Sequence, residues 1–466
     1  MPGGRAALWY KRRVSTPAAP GRLRPLLGPA DAAALVVSNV IGVGIFTTPG
    51  IVAKMVPHPW AMLGLWLAGG LLALAGAGAY AELAALYPRA GGEYVYLREG
   101  FGPLAGFLTG WTSFVAGFSG AIAAGAVGLA HYLSRFWPPA GDTHALLRIP
   151  FYVGSLEISP QALTAALVIL LLSAIHLRGL GPGRLVQNSL AAASVVALLV
   201  LVGLGFAVGH RAAPPSPAPG APLSLTLCLL AMIPVMFTYS GWNAAAYVAE
   251  EVREPGRNLP RALALGTAVV TVLYLLLNAL YLYALPLSVL AGKVNSGEAA
   301  ADALFGSRGG SGMAVILVLA LTGGISAMVI AGPRVYFAMG RDRVFPAAAA
   351  SLSRFHTPAA AIAAQAAWTI LLVFTGSFEQ ILIYTGFAVV LFSAVAVVTL
   401  FVLRRRHPDA PRPFRTWGYP VAPGLFVLAS LAMMVSAILR QPKPAAAGLL
   451  VMAAGLPLYA WMRRRS

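Results

Sequence analysis

The chain has 466 residues, of which 59% are hydrophobic and only 10% charged, with a mean hydropathy of +0.78. A soluble fold of this size could not cover that much apolar surface, so the composition excludes a water-soluble enzyme or binding module. The net charge of +19 would suggest nucleic acid in a soluble domain, but here the basic residues sort by membrane side, which excludes that reading.

Twelve apolar runs are long enough to cross a bilayer as helices. They begin near Ala30, Trp60, Pro103, Gln161, Asn188, Leu223, Ala262, Met313, Ala359, Ile381, Val421 and Ala445. With the N-terminus placed in the cytoplasm and sides alternating, 25 of the 33 Lys and Arg residues fall inside and 8 outside. That asymmetry predicts cytoplasmic termini at both ends and an anionic inner leaflet as the neighbour of the basic loops.

Residues 1–29 are rich in Arg and Pro, lack an apolar core, and read as a disordered cytoplasmic tail rather than a signal peptide. The first span is interrupted at Ile41-Gly42-Val43-Gly44-Ile45. A helix that unwinds in a bilayer leaves backbone groups that lipid cannot satisfy, so this stretch faces a cavity or a polar ligand. The amides of Val43, Gly44 and Ile45 open the second half-helix and suit a carboxylate. The same pentapeptide also reads as a glycine packing notch. Glu82 lies about one turn inside the end of span 2, with Arg334, Arg341 or Arg178 as expected partners, either as a gate or as a static interfacial pair. Residues 87–101 alternate aromatics with Arg89, Glu93, Arg98 and Glu99 and read as an interfacial aromatic anchor. In span 3, Gly102, Gly106 and Gly110 have the four-residue spacing of close helix packing.

Residues 212–223 carry five prolines and form an extended outer connector. Span 6 contains the chain's one cysteine, Cys228, so no internal disulfide can form. The same span breaks at Phe237-Thr238-Tyr239-Ser240-Gly241. Carbonyls freed at the end of its first half attract a cation such as an ammonium group. One break thus offers donors to a carboxylate and the other acceptors to an amine, the two ends of a free α-amino acid. Glu250 and Glu251 close span 6 and are expected to pair with Arg253, Arg257 or Arg261. Spans 1–5 (residues 30–208) and 6–10 (residues 223–403) have equal counts, and an odd count per half inverts the second relative to the first. A basic, proline-containing linker (residues 404–419) leads to spans 11 and 12 (residues 420–466). The seven histidines show no ligand spacing, and no phosphate-binding loop or nucleophile elbow occurs, so no metal, no cofactor and no enzymatic activity are expected.

Three strings carry a resemblance. Phe237-Thr238-Tyr239-Ser240-Gly241-Trp242-Asn243, followed by Glu250-Glu251-Val252-Arg253-Glu254-Pro255-Gly256-Arg257-Asn258-Leu259-Pro260, resembles helix 6 and its following loop in the L-type amino acid transporters. These belong to the amino acid–polyamine–organocation superfamily. Gly42 to Phe46 and the Glu82–Tyr96 stretch are similar to their counterparts there. The resemblance implies an all-α integral membrane fold of twelve transmembrane helices. Ten form a LeuT-like 5+5 inverted repeat with discontinuous helices 1 and 6, and two are peripheral. It implies carboxylate donors at Gly42, Val43 and Gly44, ammonium acceptors at the carbonyls of Val40, Phe237 and Ser240, Phe237 as a gate, and Asn243 near the substrate or the helix 1 backbone.

The chain departs from that pattern twice. Val43 stands where many relatives carry Ser or Thr, and Ser194 stands where relatives carry a lysine. A solvated cavity, a sodium ion held by Ser194 with hydroxyls such as Ser326, or no coupling ion all remain open. Residues 136–158 contain no cysteine, so the disulfide-linked heavy chain of the eukaryotic relatives has no attachment point, and a stand-alone bacterial inner-membrane permease is expected. The reading is alternating-access transport of neutral amino acids by exchange. The alternative is a proton- or sodium-coupled amino acid or amine symporter.

Overall fold

A computed structural model describes residues 21–151, 154–209, 223–376, 378–440 and 442–465. In chain order the helices are α1 (Pro29–Val40), α2 (Gly44–Met55), α3 (Pro59–Leu86), α4 (Glu93–Phe101), α5 (Pro103–Thr112), α6 (Phe118–Leu133), α7 (Pro160–Leu177), α8 (Leu180–Val208) and α9 (Leu225–Thr238). They continue as α10 (Ala244–Tyr247), α11 (Pro255–Ala284), α12 (Leu287–Leu290), α13 (Ser296–Phe305), α14 (Gly309–Arg341), α15 (Ala359–Thr375), α16 (Phe378–Arg406), α17 (Val421–Arg440), α18 (Pro442–Ala453) and α19 (Gly455–Arg465). Among the described residues nine helical segments are long and apolar enough to cross a membrane, or ten when the bent pair α1–α2 counts as one. The apolar helices α9 and α15 are shorter. The protein is an all-α, multi-pass membrane protein. Its one described sheet is the hairpin of β1 (Leu147–Phe151) and β2 (Gly154–Ile158) in the connector after α6, which residue periodicity had not suggested.

Both expected breaks are present as interruptions of helix. Between Val40 and Gly44 the axis bends by 48°. Span 6 stops at Thr238, turns through Gly241 at φ +104°, and resumes as the single turn α10. A third irregularity lies in span 3, where Ser113–Gly117 forms a π-helical turn between α5 and α6. Such a turn frees carbonyls, and side chains from two other helices meet them: Tyr336 donates to the Ser113 carbonyl at 3.2 Å and Trp368 to that of Val115 at 2.9 Å.

Small residues set the helix spacings. A Cβ on Gly266 of α11 would stand 2.7 Å from Cβ of Val36, so α1 and α11 touch backbone to side chain there. Gly106 sits against α4, with a Cβ position 3.0 Å from both Cβ of Arg98 and the carbonyl oxygen of Tyr94, and Gly110 faces Met339, as the packing reading expected. Gly102 does neither; at φ +100° it separates α4 from α5 and has open space around it.

Residues 21–28 differ from the disordered tail expected through residue 29. Leu23 and Leu27 are buried, the Leu27 amide donates to the Glu251 carbonyl at 2.8 Å, and the Arg253 amide donates to the Leu27 carbonyl at 2.9 Å. Leu27, bridged to Val252, and Leu23, packed with Ala90 and Phe337, anchor the segment. Residues 1–20, and the proline connector at 210–222, lie outside the described residues.

The segment 87–101 is likewise no lipid-facing anchor. Tyr94, Val95, Tyr96 and Leu97 are all buried, and the Gly91 amide donates to the Tyr247 carbonyl at 3.0 Å. Helix α4 is wedged beneath span 6 because Gly91 and Gly92, both at positive φ, bring the backbone against the Tyr247 ring.

Candidate functional site

A cavity of about 730 Å³ opens from the break in span 1 toward the side that carries Thr143, Glu157 and Gly376. Val40, Ile41, Gly42, Val43 and Gly44 form one wall, and Phe237, Thr238 and Ser240 another. Beyond Phe237 lies a second cavity of about 150 Å³, which Asn39, Ser240, Gly241, Asn243 and Glu93 help to line. Phe237 and Ser240 border both, and the half-exposed Phe237 ring stands beside Gly386 of α16. The two breaks therefore converge on one space, with an aromatic ring at its waist.

The amides of Gly42 and Val43 have no hydrogen-bond acceptor among the described residues, and Gly44 opens α2, where an amide has no helical partner. The three expected donors thus border one cavity at the N-terminus of a half-helix. The acceptor side is more structured than expected. The Val40 carbonyl accepts the Tyr274 hydroxyl at 2.8 Å, and the Phe237 carbonyl closes the turn by accepting the Ser240 amide at 3.0 Å. The Val40 carbonyl keeps its second lone pair, whereas the Phe237 carbonyl is also approached by the Tyr239 amide. The Tyr274 hydroxyl also reaches the Thr238 carbonyl at 3.3 Å, so one side chain fastens the two breaks together. Tyr274→Phe removes that fastening. The expected outcome is a loss of about 0.5–1.5 kcal/mol in stability and a raised KM for transport, read from thermal unfolding in detergent and from uptake kinetics.

Not every expected residue reaches the cavity. Tyr239 turns the other way: its hydroxyl donates to the Trp66 carbonyl at 3.0 Å and its ring packs on Trp66 and Tyr274, because α9 is still helical at Thr238 and directs that face toward α3. Ile45 is fully buried in the core and lines neither cavity. Asn243 lines the inner cavity, but its side-chain hydrogen bonds go to α4 and to its own span rather than to the helix 1 backbone. Its amide nitrogen donates to Glu93 Oε1 at 2.8 Å and to the Tyr247 hydroxyl at 3.1 Å. Spans 1 and 6 are bonded instead through Asn39, whose amide donates to the Gly241 carbonyl at 3.2 Å, and through the Thr48 and Thr238 hydroxyls, 2.8 Å apart. A Cβ on Gly241 would lie 2.7 Å from the Asn39 amide nitrogen and its carbonyl oxygen, and φ is positive, so glycine is required twice over.

The charges pair differently from the sequence expectation. Glu82 meets Arg404 (3.0 and 2.6 Å), Arg412 (3.1 Å) and the amide and hydroxyl of Thr416 (2.7 and 2.8 Å), not Arg334, Arg341 or Arg178. The chain folds back beneath α3 after leaving α16, so the linker at 404–416 reaches the carboxylate first. Arg334 pairs with Glu251 in a fork of 2.8 and 2.9 Å, both side chains at most 2% exposed. Arg341 pairs with Glu250 at 3.0 and 2.7 Å. The partners of Glu250 and Glu251 thus come from the end of α14 rather than from Arg253, Arg257 or Arg261.

Ser194 and Ser326 do not form a shared hydroxyl pair. The Ser326 hydroxyl is 2.9 Å from His176 Nε2, while the buried Ser194 hydroxyl has no partner among the described residues. His176 was unremarked in the sequence because its partner is 150 positions away. Glu93 is the other buried polar residue whose partners residue patterning missed. It is buried, lines the inner cavity, and accepts from Tyr80, Asn243 and Ser393 on one oxygen. Burial pushes its carboxyl above the usual carboxylate range, against the pull of those hydrogen bonds. The pocket expected to hold no charged side chain therefore carries two carboxyls, Glu93 from α4 in the inner cavity and Glu157 from β2 in the outer one.

Residues 27–460 match the family model described as Amino acid permease. The chain is 29% identical over 449 residues to the Serine/threonine exchanger SteT of Bacillus subtilis (strain 168), covering 95% of this chain and 98% of that protein. It is 28% identical over 450 residues to the Large neutral amino acids transporter small subunit 2 of Homo sapiens, covering 94% of this chain and 80% of that one. It is 29% identical over 432 residues to the b(0,+)-type amino acid transporter 1 of Homo sapiens, covering 90% and 84%.

Proposed function

The chain belongs to the amino acid permease family, and we propose that it moves neutral amino acids across the membrane by exchange, through alternating access to the cavity between spans 1 and 6. It is a transporter, not an enzyme. The observation that carries the reading is the convergence of unpartnered amides at Gly42, Val43 and Gly44 with the carbonyl-bearing turn at Phe237–Ser240 across one space. A zwitterion needs donors at one end and acceptors at the other, and backbone dipoles meet both needs without charged side chains. The curated relatives are exchangers or amino acid transporters by name, which supports the same reading.

In this proposal the substrate's carboxylate rests on the span 1 amides and its ammonium group on the carbonyls of Val40, Ser240 and Phe237. The observed state is open on the side of the hairpin, which sequence topology assigns to the outside. The opposite side is closed by the Glu251–Arg334, Glu250–Arg341 and Glu82–Arg404 pairs, which tie span 6 to α14 and α3 to the linker. Phe237, bordering both cavities, would close over a bound substrate before those ties loosen. The 5+5 inverted repeat, the inner-membrane location and the cytoplasmic termini belong to this proposal. The one cysteine, Cys228, sits in α9, so a disulfide from the 136–158 connector to a second chain has no thiol to form it.

A proton- or sodium-coupled mode is the second reading, favoured by the unpartnered, buried Ser194 hydroxyl and Gln187 amide on α8. One measurement separates the two. The purified protein in liposomes is expected to take up labelled neutral amino acid only when unlabelled amino acid is present inside, whatever the sodium or proton gradient. Uptake that strictly follows an imposed gradient would replace exchange by symport.

A further inference from the structure

A cavity of about 670 Å³ surrounds the Glu250–Arg341 pair, away from the two breaks. Five stretches of chain wall it: residues 22–25, the turn after α3, α4, the 249–255 stretch and the end of α14. Its charge is uneven. Five arginines line it, Arg22, Arg89, Arg98, Arg253 and Arg341, against three carboxylates, Glu250, Glu254 and Asp342. The rest of the wall is apolar, and no aromatic ring lines it among the described residues.

The carboxylates are already occupied. Each oxygen of Glu250 accepts two donors: Oε1 takes the Leu23 amide at 3.2 Å and Arg341 at 3.0 Å, and Oε2 takes the Ala90 amide at 3.2 Å and Arg341 at 2.7 Å. Asp342 Oδ2 accepts the Tyr94 hydroxyl at 2.5 Å and is paired with Arg98. Glu254 stands 3.8 Å from Arg257, which lies outside the cavity wall. The cations are not balanced in return. Arg89 and Arg98 share one further carboxylate, Glu99, at 3.8 and 2.9 Å. The exposed Arg253 guanidinium has no side-chain partner among the described residues. Guanidinium groups gathered in one concavity repel one another, and an anion with several oxygens relieves that repulsion while accepting from more than one of them.

We infer that this cavity binds a phosphate-bearing anion, and that the bound anion slows exchange by holding its walls together. The phosphate is that of a lipid headgroup or of a free phosphate compound, since the same oxygens serve in both. Without an aromatic platform the site has nothing on which a nucleobase would stack, so the phosphate itself carries the recognition. Arg22 belongs to the segment that leads into span 1, Arg89 to the turn between α3 and α4, and Arg253 to the turn that ends span 6. An anion held by these three joins segments that must part if this face opens. Binding stands on the cavity alone; the effect on rate rests on the exchange reading above.

The test titrates the full chain in detergent and follows its thermal unfolding. One arm adds sodium pyrophosphate at an ionic strength held constant with sodium chloride. The other adds phosphatidylglycerol, with phosphatidylcholine as the control. A saturable rise in unfolding temperature is expected in at least one arm. Arg253→Gln and Arg22→Gln, both at exposed positions, are each expected to weaken the apparent affinity by about tenfold, the loss of one charge-assisted hydrogen bond. Saturation with pyrophosphate assigns the site to free phosphate compounds, and saturation with phosphatidylglycerol alone assigns it to a headgroup; either supports the inference. No saturable rise in either arm, or a rise that both variants keep in full, overturns the site. The anion that binds is then placed with the protein in phosphatidylcholine liposomes, pyrophosphate on both sides or phosphatidylglycerol in the bilayer. Amino acid exchange is expected to slow several-fold in the wild type and less in the variants. An unchanged rate in a protein that binds the anion overturns its hold on the walls. Vesicles that exchange no amino acid with or without the anion overturn the exchange reading and leave the binding result standing.

Discussion

Gly42→Leu is expected to abolish amino acid uptake in a protein that still folds. A Cβ built on Gly42 meets nothing within 4 Å, because the residue faces the outer cavity. A leucine side chain there fits without disturbing the core and fills the space that a carboxylate needs to reach the amides of Gly42, Val43 and Gly44. Gly44 behaves differently. Its Cβ position lies 2.9–3.2 Å from the Thr238 side chain, where α2 packs on α9, so Gly44→Leu is expected to cost stability as well as transport. Measuring thermal unfolding in detergent beside uptake in liposomes separates the two. Undiminished uptake by Gly42→Leu would remove the span 1 amides from the substrate site.

Breaking the Arg334–Glu251 pair is expected to be the most destabilising charge change in the protein. Both side chains are at most 2% exposed, and the guanidinium also donates to the Ile330 carbonyl at 2.8 Å. Arg334→Met leaves a buried carboxylate without its partner, and the cost of such a change is about 3–5 kcal/mol. The double variant Arg334→Met/Glu251→Gln removes the stranded charge and is expected to recover most of that loss. Its transport is a separate readout. If the pair locks the closed side, the double variant folds yet exchanges faster or leaks substrate without counter-substrate. If the single variant unfolds at the wild-type temperature, the pair is not the tie that the geometry describes.

The parts of the site made of backbone were legible in the chain. Gly42 and Gly44 in an apolar run, and Tyr239-Ser240-Gly241 in another, mark local chain geometry, and local geometry is written in adjacent residues. The parts made of side-chain partnerships were not. Glu82 reads as a partner for Arg334 when judged by membrane depth, yet it meets Arg404 and Arg412, more than 300 positions away, because the linker doubles back beneath α3. Tyr239 reads as a cavity residue by its place in the break, yet it faces α3 because the helix has not ended where the motif suggests. Glu93 reads as one charge in an interfacial segment. Only the positive-φ pair Gly91-Gly92, folding α4 under Tyr247, carries it to the wall of the inner cavity.

By itself the amino-acid order determined a multi-pass helical membrane protein with two mid-span discontinuities. Hydropathy and glycine placement are local quantities, and the bilayer turns them directly into helices and breaks. The tertiary structure alone decided which charges pair with one another, which way Tyr239 and Asn243 turn, and that a carboxyl lines the inner cavity. Those outcomes depend on contacts between segments hundreds of residues apart, set by packing rather than by neighbouring residues.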